Sequence, residues 1–197
     1  MAAGNTPVLR TARLELRRFR EADADALFDL DADPAVMRFI TGGAGTPRAV
    51  IEGQILPRFI REQDVAGLFG FWVAEKDGDF AGWFSLREID GLPGEAALGY
   101  RLRRIYWGQG LATEGAQLLI DRGFRLGKLE KIVATTYEDN LGSIAVMGKL
   151  GMRFQHSFKL GTDELENTDT AVLDGSAPFP GMDVEYGIDR ASWQAEQ

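Results

Sequence analysis

The eight residues Trp107-Gly108-Gln109-Gly110-Leu111-Ala112-Thr113-Glu114 restrict what this chain can fold into more than any other stretch. They follow a strand-like run, Ala96 to Leu102, and open a helix-like run, Leu111 to Leu126. A glycine-rich turn between a strand and a helix N-terminus makes an anion site from backbone alone. Its N–H groups converge, no Cβ blocks close approach, and the helix dipole adds partial positive charge. The ligand is therefore expected to carry phosphate. The turn lacks the Lys-Ser/Thr ending of a nucleoside-triphosphate loop and does not follow the G-x-G-x-x-G spacing of a dinucleotide fingerprint. An ordinary glycine turn ahead of a helix is the plainer alternative on these residues alone.

The remaining chain alternates short elements. Residues 8–19 read as a strand with Leu14 and Leu16 on its buried side, and residues 23–31 as a short helix. A loop over 41–47 leads through Pro47 into a helix ending near Arg61. Two strands, Leu68 to Glu75 and Phe80 to Glu88, are joined by the hairpin turn Lys76-Asp77-Gly78-Asp79. Residues 95–102 form a fourth strand. In the helix after the glycine turn, Ala112, Ala116, Leu119, Ile120, Gly123 and Phe124 share one face at helical period. Lys131 to Thr136 is a fifth strand, Leu141 to Leu150 a helix stopped by Gly151, and Asp183 to Ile188 a final strand. The expected class is α/β: one domain over residues 1–197, with a mixed central sheet flanked by helices.

Composition bounds the chemistry. A chain of 197 residues can bury one ordinary core. It has no cysteine, which rules out disulfides and thiolate nucleophiles. His156 is its only histidine, so no metal site is expected. Residues 1–7 are short and polar, and no apolar run reaches membrane-spanning length, so a cytoplasmic protein without membrane contact is expected. A net charge of −8 argues against nucleic acid and favours cationic partners such as amines.

The loop from Trp107 to Glu114 resembles the [Q/R]-x-x-G-x-[G/A] pyrophosphate loop of the GNAT N-acetyltransferases, which bind acetyl-coenzyme A (acetyl-CoA). Trp107 in the first place resembles the RimJ/RimL-like branch, which acetylates ribosomal-protein N-termini and commonly reads W-G-x-G-x-A-T-E there. Thr11-Ala12-Arg13-Leu14-Glu15-Leu16-Arg17 is similar to that branch's opening strand, and Asp33-Pro34-Ala35-Val36-Met37 to the turn after its first helix. Asn140-Leu141-Gly142-Ser143 and Lys149-Leu150-Gly151-Met152 are similar to its N-x-x-S…K-x-G-[F/M] segment. The likeness covers roughly residues 8–158. It is weakest over the acidic, turn-rich residues 161–182, which read either as a solvated excursion or as a lid that attracts a cation. Residues 183–197 supply the last strand and tail.

The resemblance implies that an amine attacks the thioester of acetyl-CoA directly in a ternary complex, with no covalent enzyme intermediate. The fourth and fifth strands would splay apart, with the pantetheine arm pairing near Leu102 and a backbone N–H near Tyr100 holding the thioester carbonyl. Trp107, Gly108, Gln109, Gly110, Leu111, Ala112 and Thr113 would form the cofactor loop. One of Arg101, Arg103 and Arg104, assigned here as Arg104, would stand near a phosphate. Asn140 would cap its helix, meet the cofactor arm, or both. The family's usual acid, a tyrosine, is replaced here by Met147, which leaves Ser143 or water to protonate the sulfur. The family's usual base position is Ala97, and Glu95 lies on the same strand face. Glu95 is then either the base or a solvent-facing residue; Glu138, His156 and water are rivals. Met37, Phe39, Trp72 and Trp83 are candidate walls of the acceptor pocket, with an acidic rim to recruit a protonated amine. A homodimer follows from the resemblance alone. A non-catalytic acyl-CoA sensor is the alternative function.

Overall fold

The computed structural model describes residues 8–63, 67–159 and 181–195. Eight strands form one sheet in the order β1-β2-β3-β4-β5-β6-β8-β7. They are β1 (Leu9–Arg10), β2 (Glu15–Arg18), β3 (Gly70–Lys76), β4 (Asp79–Glu88), β5 (Glu95–Leu102), β6 (Lys131–Tyr137), β7 (Arg153–Phe158) and β8 (Asp183–Asp189). All neighbours are antiparallel except β5 and β6, which run parallel.

Helices cover both faces. On one side lie α1 (Ala24–Asp31), α2 (Pro34–Thr41) and a longer helical run from Arg48 to Arg61. That run comprises α3 (Arg48–Val50), a π turn over Ile51–Ile55, and α4 (Leu56–Arg61). Pro57 can give no N–H to the carbonyl four residues back, and the wider turn beside it absorbs the defect. Leu27, Leu30, Ile51, Leu56 and Phe59 pack there on Phe71, Val73 and Trp83. On the other side lie α5 (Leu111–Leu126) and α6 (Leu141–Lys149), and α7 (Arg190–Ala195) closes the described chain. Leu119, Ile120, Phe124, Met147 and Leu150 pack there on Trp72, Phe84, Leu86 and Leu98. Side chains alternate along each strand, so β3 and β4 send Trp72 and Phe84 to one layer and Phe71 and Trp83 to the other.

Three elements depart from expectation. The single strand over 8–19 is broken, because Thr11 Oγ1 accepts from the Leu14 N–H at 2.8 Å and folds a turn between β1 and β2. The segment after Asp33 is a helix. Asp33 caps it by accepting from Ala35 N–H at 2.9 Å, and Pro34 occupies the first turn, where it is tolerated. Strand β7 was not expected at all; it is an exposed edge strand with no apolar alternation to announce it. The acidic stretch 161–182 lies outside the described residues apart from Gly181 and Met182.

The contact between α5 and the sheet is tight enough to require glycine. A Cβ on Gly115 would lie 2.3 Å from Phe84 Cζ, and Phe84 is fully buried. Gly115→Ala is expected to cost about 1–3 kcal/mol by overpacking. At about 2–4 °C per kcal/mol for a domain of this size, the melting temperature should fall by several degrees. A melting curve unchanged or raised would show that α5 does not sit on Phe84 in this way.

Candidate active site

The parallel pair β5–β6 is joined only at Glu95–Lys131, Ala96–Ile132 and Ala97–Val133. Beyond Ala97 the strands part, while β5 stays paired with β4 as far as Leu102. Arg103 N–H donates to the Ala81 carbonyl at 2.9 Å, so the odd-numbered residues of β5 bond to β4. By alternation the even-numbered residues of β5 face β6: the Leu98 N–H closes the last parallel bond beside Ala97–Val133, and the N–H groups of Tyr100 and Leu102 point into the gap. A cavity of about 1690 Å³ occupies this gap and reaches both layers. Its walls include Ala97 to Leu102 of β5, the loop at Trp107, Gly108 and Gly110, the first turn of α5, and Asn140 and Ser143 of α6.

The loop end of the cavity is built for an anion. Gly108 and Gly110 take φ values of 71° and 78°, the left-handed region that glycine enters without strain. Gly110 is the N-cap of α5, and no side chain caps that helix. The first helical bond runs from Glu114 N–H to the Gly110 carbonyl at 3.0 Å. The first-turn N–H groups of Leu111, Ala112 and Thr113 therefore have no intrahelical acceptor, and all three residues line the cavity. These are the donors that a pyrophosphate needs, and the site fits that group. Gln109 does not line it: its side chain donates to the Ile105 carbonyl at 2.8 Å.

The cation beside this loop is Arg13, not Arg104. Arg104 is mostly exposed and pairs with Asp33 at 3.1 Å, at the start of α2 and outside the cavity wall. Arg13 Nη1 donates to the Gln109 carbonyl at 2.8 Å, and its Nε reaches Glu114 at 2.6 Å. The Arg13 backbone N–H also donates to Glu114, at 2.8 Å. Partial burial pushes the Glu114 carboxyl up, but hydrogen bonds from Thr11 and Arg13 outweigh it and hold the group below the usual carboxylate range. The latch therefore persists at neutral pH and is lost as pH falls through that lowered value. The pairing of Arg13 in the opening strand with Glu114 in the loop was the available signal, and a single sequence does not show such pairs.

Trp107 ties the loop to the strand. Its Nε1 donates to the Leu102 carbonyl at 2.8 Å, so Leu102 has only its N–H left to offer a pantetheine arm. Tyr100 and Ser143 meet across the gap, with Tyr100 Oη 2.9 Å from Ser143 Oγ. Burial pushes the Tyr100 hydroxyl up to about 12, against a smaller opposing pull from its hydrogen bond with Ser143. It is a protonated donor at any working pH. Asn140 caps α6, accepting from Ser143 N–H at 3.3 Å, and its amide donates to Thr136 Oγ1 at 3.0 Å.

The expected bases are held elsewhere. Glu95 lies 3.8 Å from Lys131 at the closed end of the strand pair and is not in the cavity wall. Glu138 accepts from Met182 N–H at 3.1 Å. His156 sits on the exposed edge strand, 3.9 Å from Glu185. Asp183 and Glu185 of β8 are carboxylates that do line the cavity, and sequence reasoning missed them. Among the acceptor walls, Phe39 and Trp83 line the cavity. Met37 and Trp72 do not: both are core residues, and Trp72 faces the α5 layer with the Arg18 guanidinium 3.6 Å from its ring centre. Among the described residues no three His, Asp or Glu cluster as a metal would require, and no helix is long and apolar enough to cross a membrane.

Residues 13–153 match the acetyltransferase (GNAT) domain model. The chain belongs to the GNAT acetyltransferase family. It is thereby an acetyl-CoA-dependent N-acetyltransferase. It is 29% identical over 199 residues to the FsC-acetyl coenzyme A-N(2)-transacetylase of Aspergillus fumigatus, covering 95% of this chain and 78% of that one. It is 32% identical over 148 residues to an uncharacterized N-acetyltransferase of Bacillus licheniformis, covering 74% of this chain and 82% of the relative. Among solved structures, RimL, a ribosomal L7/L12 alpha-N-protein acetyltransferase, in complex with coenzyme A superposes with a TM-score of 0.73. That match is 19% identical and spans 93% of this chain and 98% of RimL. The GNAT fold thus places its strand split and its glycine loop on one cavity.

Arg13→Ala should weaken acetyl-CoA binding about tenfold in a calorimetric titration, equivalent to about 1.4 kcal/mol. Its side chain is nearly half exposed, so the fold should persist. An unchanged dissociation constant would show that Arg13 does not organise the loop.

Proposed function

We propose that this chain moves the acetyl group of acetyl-CoA to a primary amine, on a peptide N-terminus or a small molecule, by direct attack in a ternary complex. The observation that carries this reading is the row of inward N–H groups on β5, set between an uncapped helix N-terminus and the Tyr100–Ser143 hydroxyl pair. Tyr100 N–H holds the thioester carbonyl, and oriented backbone donors of this kind are worth about 3 kcal/mol at a transition state. Gly108, Gly110 and the first-turn amides of α5 hold the pyrophosphate. Leu102 N–H and Asn140 line the path of the arm between them.

The proton problem follows from the two reacting groups. A lysine-like amine has a pKa near about 10.4 and an alkyl thiol near about 8.5, so the site must take a proton from the one and can return one to the other. Ser143 donates to the leaving sulfur and is replenished by Tyr100 at 2.9 Å. The amine proton leaves through water towards Asp183 and Glu185, the β8 carboxylates that line the cavity, because Glu95, Glu138 and His156 are engaged outside the reacting gap. In the same reading the protein works in the cytoplasm, and it is homodimeric as the resemblance to the family implies.

Release of free thiol from acetyl-CoA should depend on added amine. Tyr100→Phe should lower kcat by about 10- to 100-fold, the lower part of the range for a positioned acid. Glu95→Gln should keep kcat within about twofold. The rate should climb with pH as the amine deprotonates, without a descending limb from Tyr100 up to about pH 10. Binding of acetyl-CoA with no thiol release across a broad amine panel would favour an acyl-CoA sensor instead.

A further inference from the structure

A thioester held in the gap has two faces, and the two proton tasks fall on opposite ones. Tyr100 points to the α6 side, where its hydroxyl meets Ser143 and the leaving sulfur is served. Ala97 and Arg101 alternate with Tyr100 and point to the other side, which they share with Trp83, the β4 partner of Arg101. That side is the acceptor arm of the cavity, and the amine must shed its protons into it.

Six carboxylates line the cavity, and position separates them. Glu62 is bonded to Arg58 at 2.7 Å, and Glu88 stands opposite Ala96, where β5 and β6 are still joined. Asp90 and Asp139 lie beyond the ends of β4 and β6. Asp183 is buried opposite Tyr137, at the far end of β6. Glu185 stands opposite Thr135. Thr135 lies two residues past Val133, the partner of Ala97, so β6 carries Glu185 to the level of Gly99, next to the Tyr100 N–H. Residues in register share a face, so the Glu185 side chain is on the acceptor side with Ala97 and Val133. Neither Ala97 nor Gly99 offers a group that could act in its place.

The Glu185 carboxylate is set between two cationic side chains from the flanking strands. Lys131 Nζ lies 3.8 Å from its Oε1 and His156 Nδ1 lies 3.9 Å from the same oxygen. Contacts of this length orient a carboxylate without using up its hydrogen-bond acceptor positions. Lys131 reaches it by lying across Gly187, where a Cβ would stand 3.2 Å from Lys131 Cε. Glu95, 3.8 Å from the same Nζ, steadies Lys131 from the β5 side. The Glu185 side chain is 19% exposed, which keeps it within reach of water in the cavity.

We infer that Glu185 is the general base of the reaction, taking protons from the amine through a water, and that Lys131 is the residue that positions it. This rests on the acetyl-transfer reading and deepens it. Strand β8 is two strands from β5, about 10 Å at ordinary ladder spacing, so a water bridges nitrogen and carboxylate. The nitrogen attacks the thioester carbonyl carbon, the C–N bond forms and the C–S bond breaks. An ammonium acceptor sheds two protons on the way to the amide. Each passes through water to Glu185 and on to the solvent. Solvent returns one to the Tyr100–Ser143 pair for the proton given to the sulfur.

The test follows thiol release with one panel amine from about pH 6 to about pH 10, for wild type and variants. The charged groups around Glu185 are Lys131, His156, Asp183 two residues along β8, and Glu95 behind Lys131. Glu185→Gln should lower kcat about 100-fold near neutral pH while each KM stays within about threefold. The deficit should shrink to about tenfold near pH 10, where the amine is itself largely neutral. Glu185→Asp should keep part of kcat. Lys131→Met should lower kcat about tenfold, and Lys131→Arg should restore most of it. Melting curves and acetyl-CoA titrations of each variant separate these effects from loss of fold or cofactor. A Glu185→Gln kcat close to wild type, or a deficit equal at every pH, overturns the assignment. A raised KM for the amine with kcat kept makes Glu185 a binding group for the ammonium and overturns it as well. Full kcat in Lys131→Met overturns the positioning role. Wild type that binds acetyl-CoA but releases no thiol with any amine overturns the acetyl-transfer reading, and this assignment with it.

Discussion

Strand β5 keeps one edge on β4 and loses the other after Ala97, and the working surface of the molecule follows from that parting. Backbone N–H groups left in a sheet without partners are costly when buried, so a split of this kind must be satisfied by water, side chains or a ligand. Here side chains deal with part of it. Trp107 caps the Leu102 carbonyl, and Tyr100 and Ser143 bond across the opening. The N–H groups of Tyr100 and Leu102 are left for something that can lie along the strand as a further strand would. An extended amide-bearing arm meets that requirement, and the α5 N-terminus supplies the anion site at its end.

The surrounding packing keeps the split open. Gly115 lets α5 rest directly on Phe84 of β4. Arg13 fixes the loop from the other side by bonding both the Gln109 carbonyl and Glu114. Beneath the acceptor arm, Arg101 is anchored to Asp31, whose second oxygen accepts from Thr46 at 3.0 Å. That network joins α1, the loop after α2 and β5. Rigid groups thus hold both ends of a gap whose centre is open, as a site for two substrates requires.

Much of this was legible in the sequence, and the parts that were not share a physical cause. The strand–glycine–helix unit over 95–126 is read correctly because its signals are local: alternation, two glycines, then a helical apolar stripe. The helix from Leu141 and its Asn140 cap are local in the same way. Pairings across the chain leave no such mark. Arg104 is near the loop in sequence but turns to Asp33, whereas Arg13 reaches the loop from about a hundred residues away. Glu95 shares a face with Ala97, yet it sits where the strands are still closed, and the point at which they part is a tertiary fact. Trp72 and Met37 are apolar residues near the right segments, and only the direction of each side chain sends them to the core. Strand β7 has no apolar alternation because it is an edge with almost every side chain in solvent.

Amide hydrogen exchange with and without acetyl-CoA tests the central claim most directly, because it reads the backbone donors themselves. The account predicts that saturating acetyl-CoA slows exchange at Tyr100 and Leu102 and from Gly108 to Thr113, with little change along β2 and β3. Protection confined to other segments, or tight binding that leaves the amides of β5 exchanging as before, would contradict the assignment of the split strand as the place where acetyl-CoA lies.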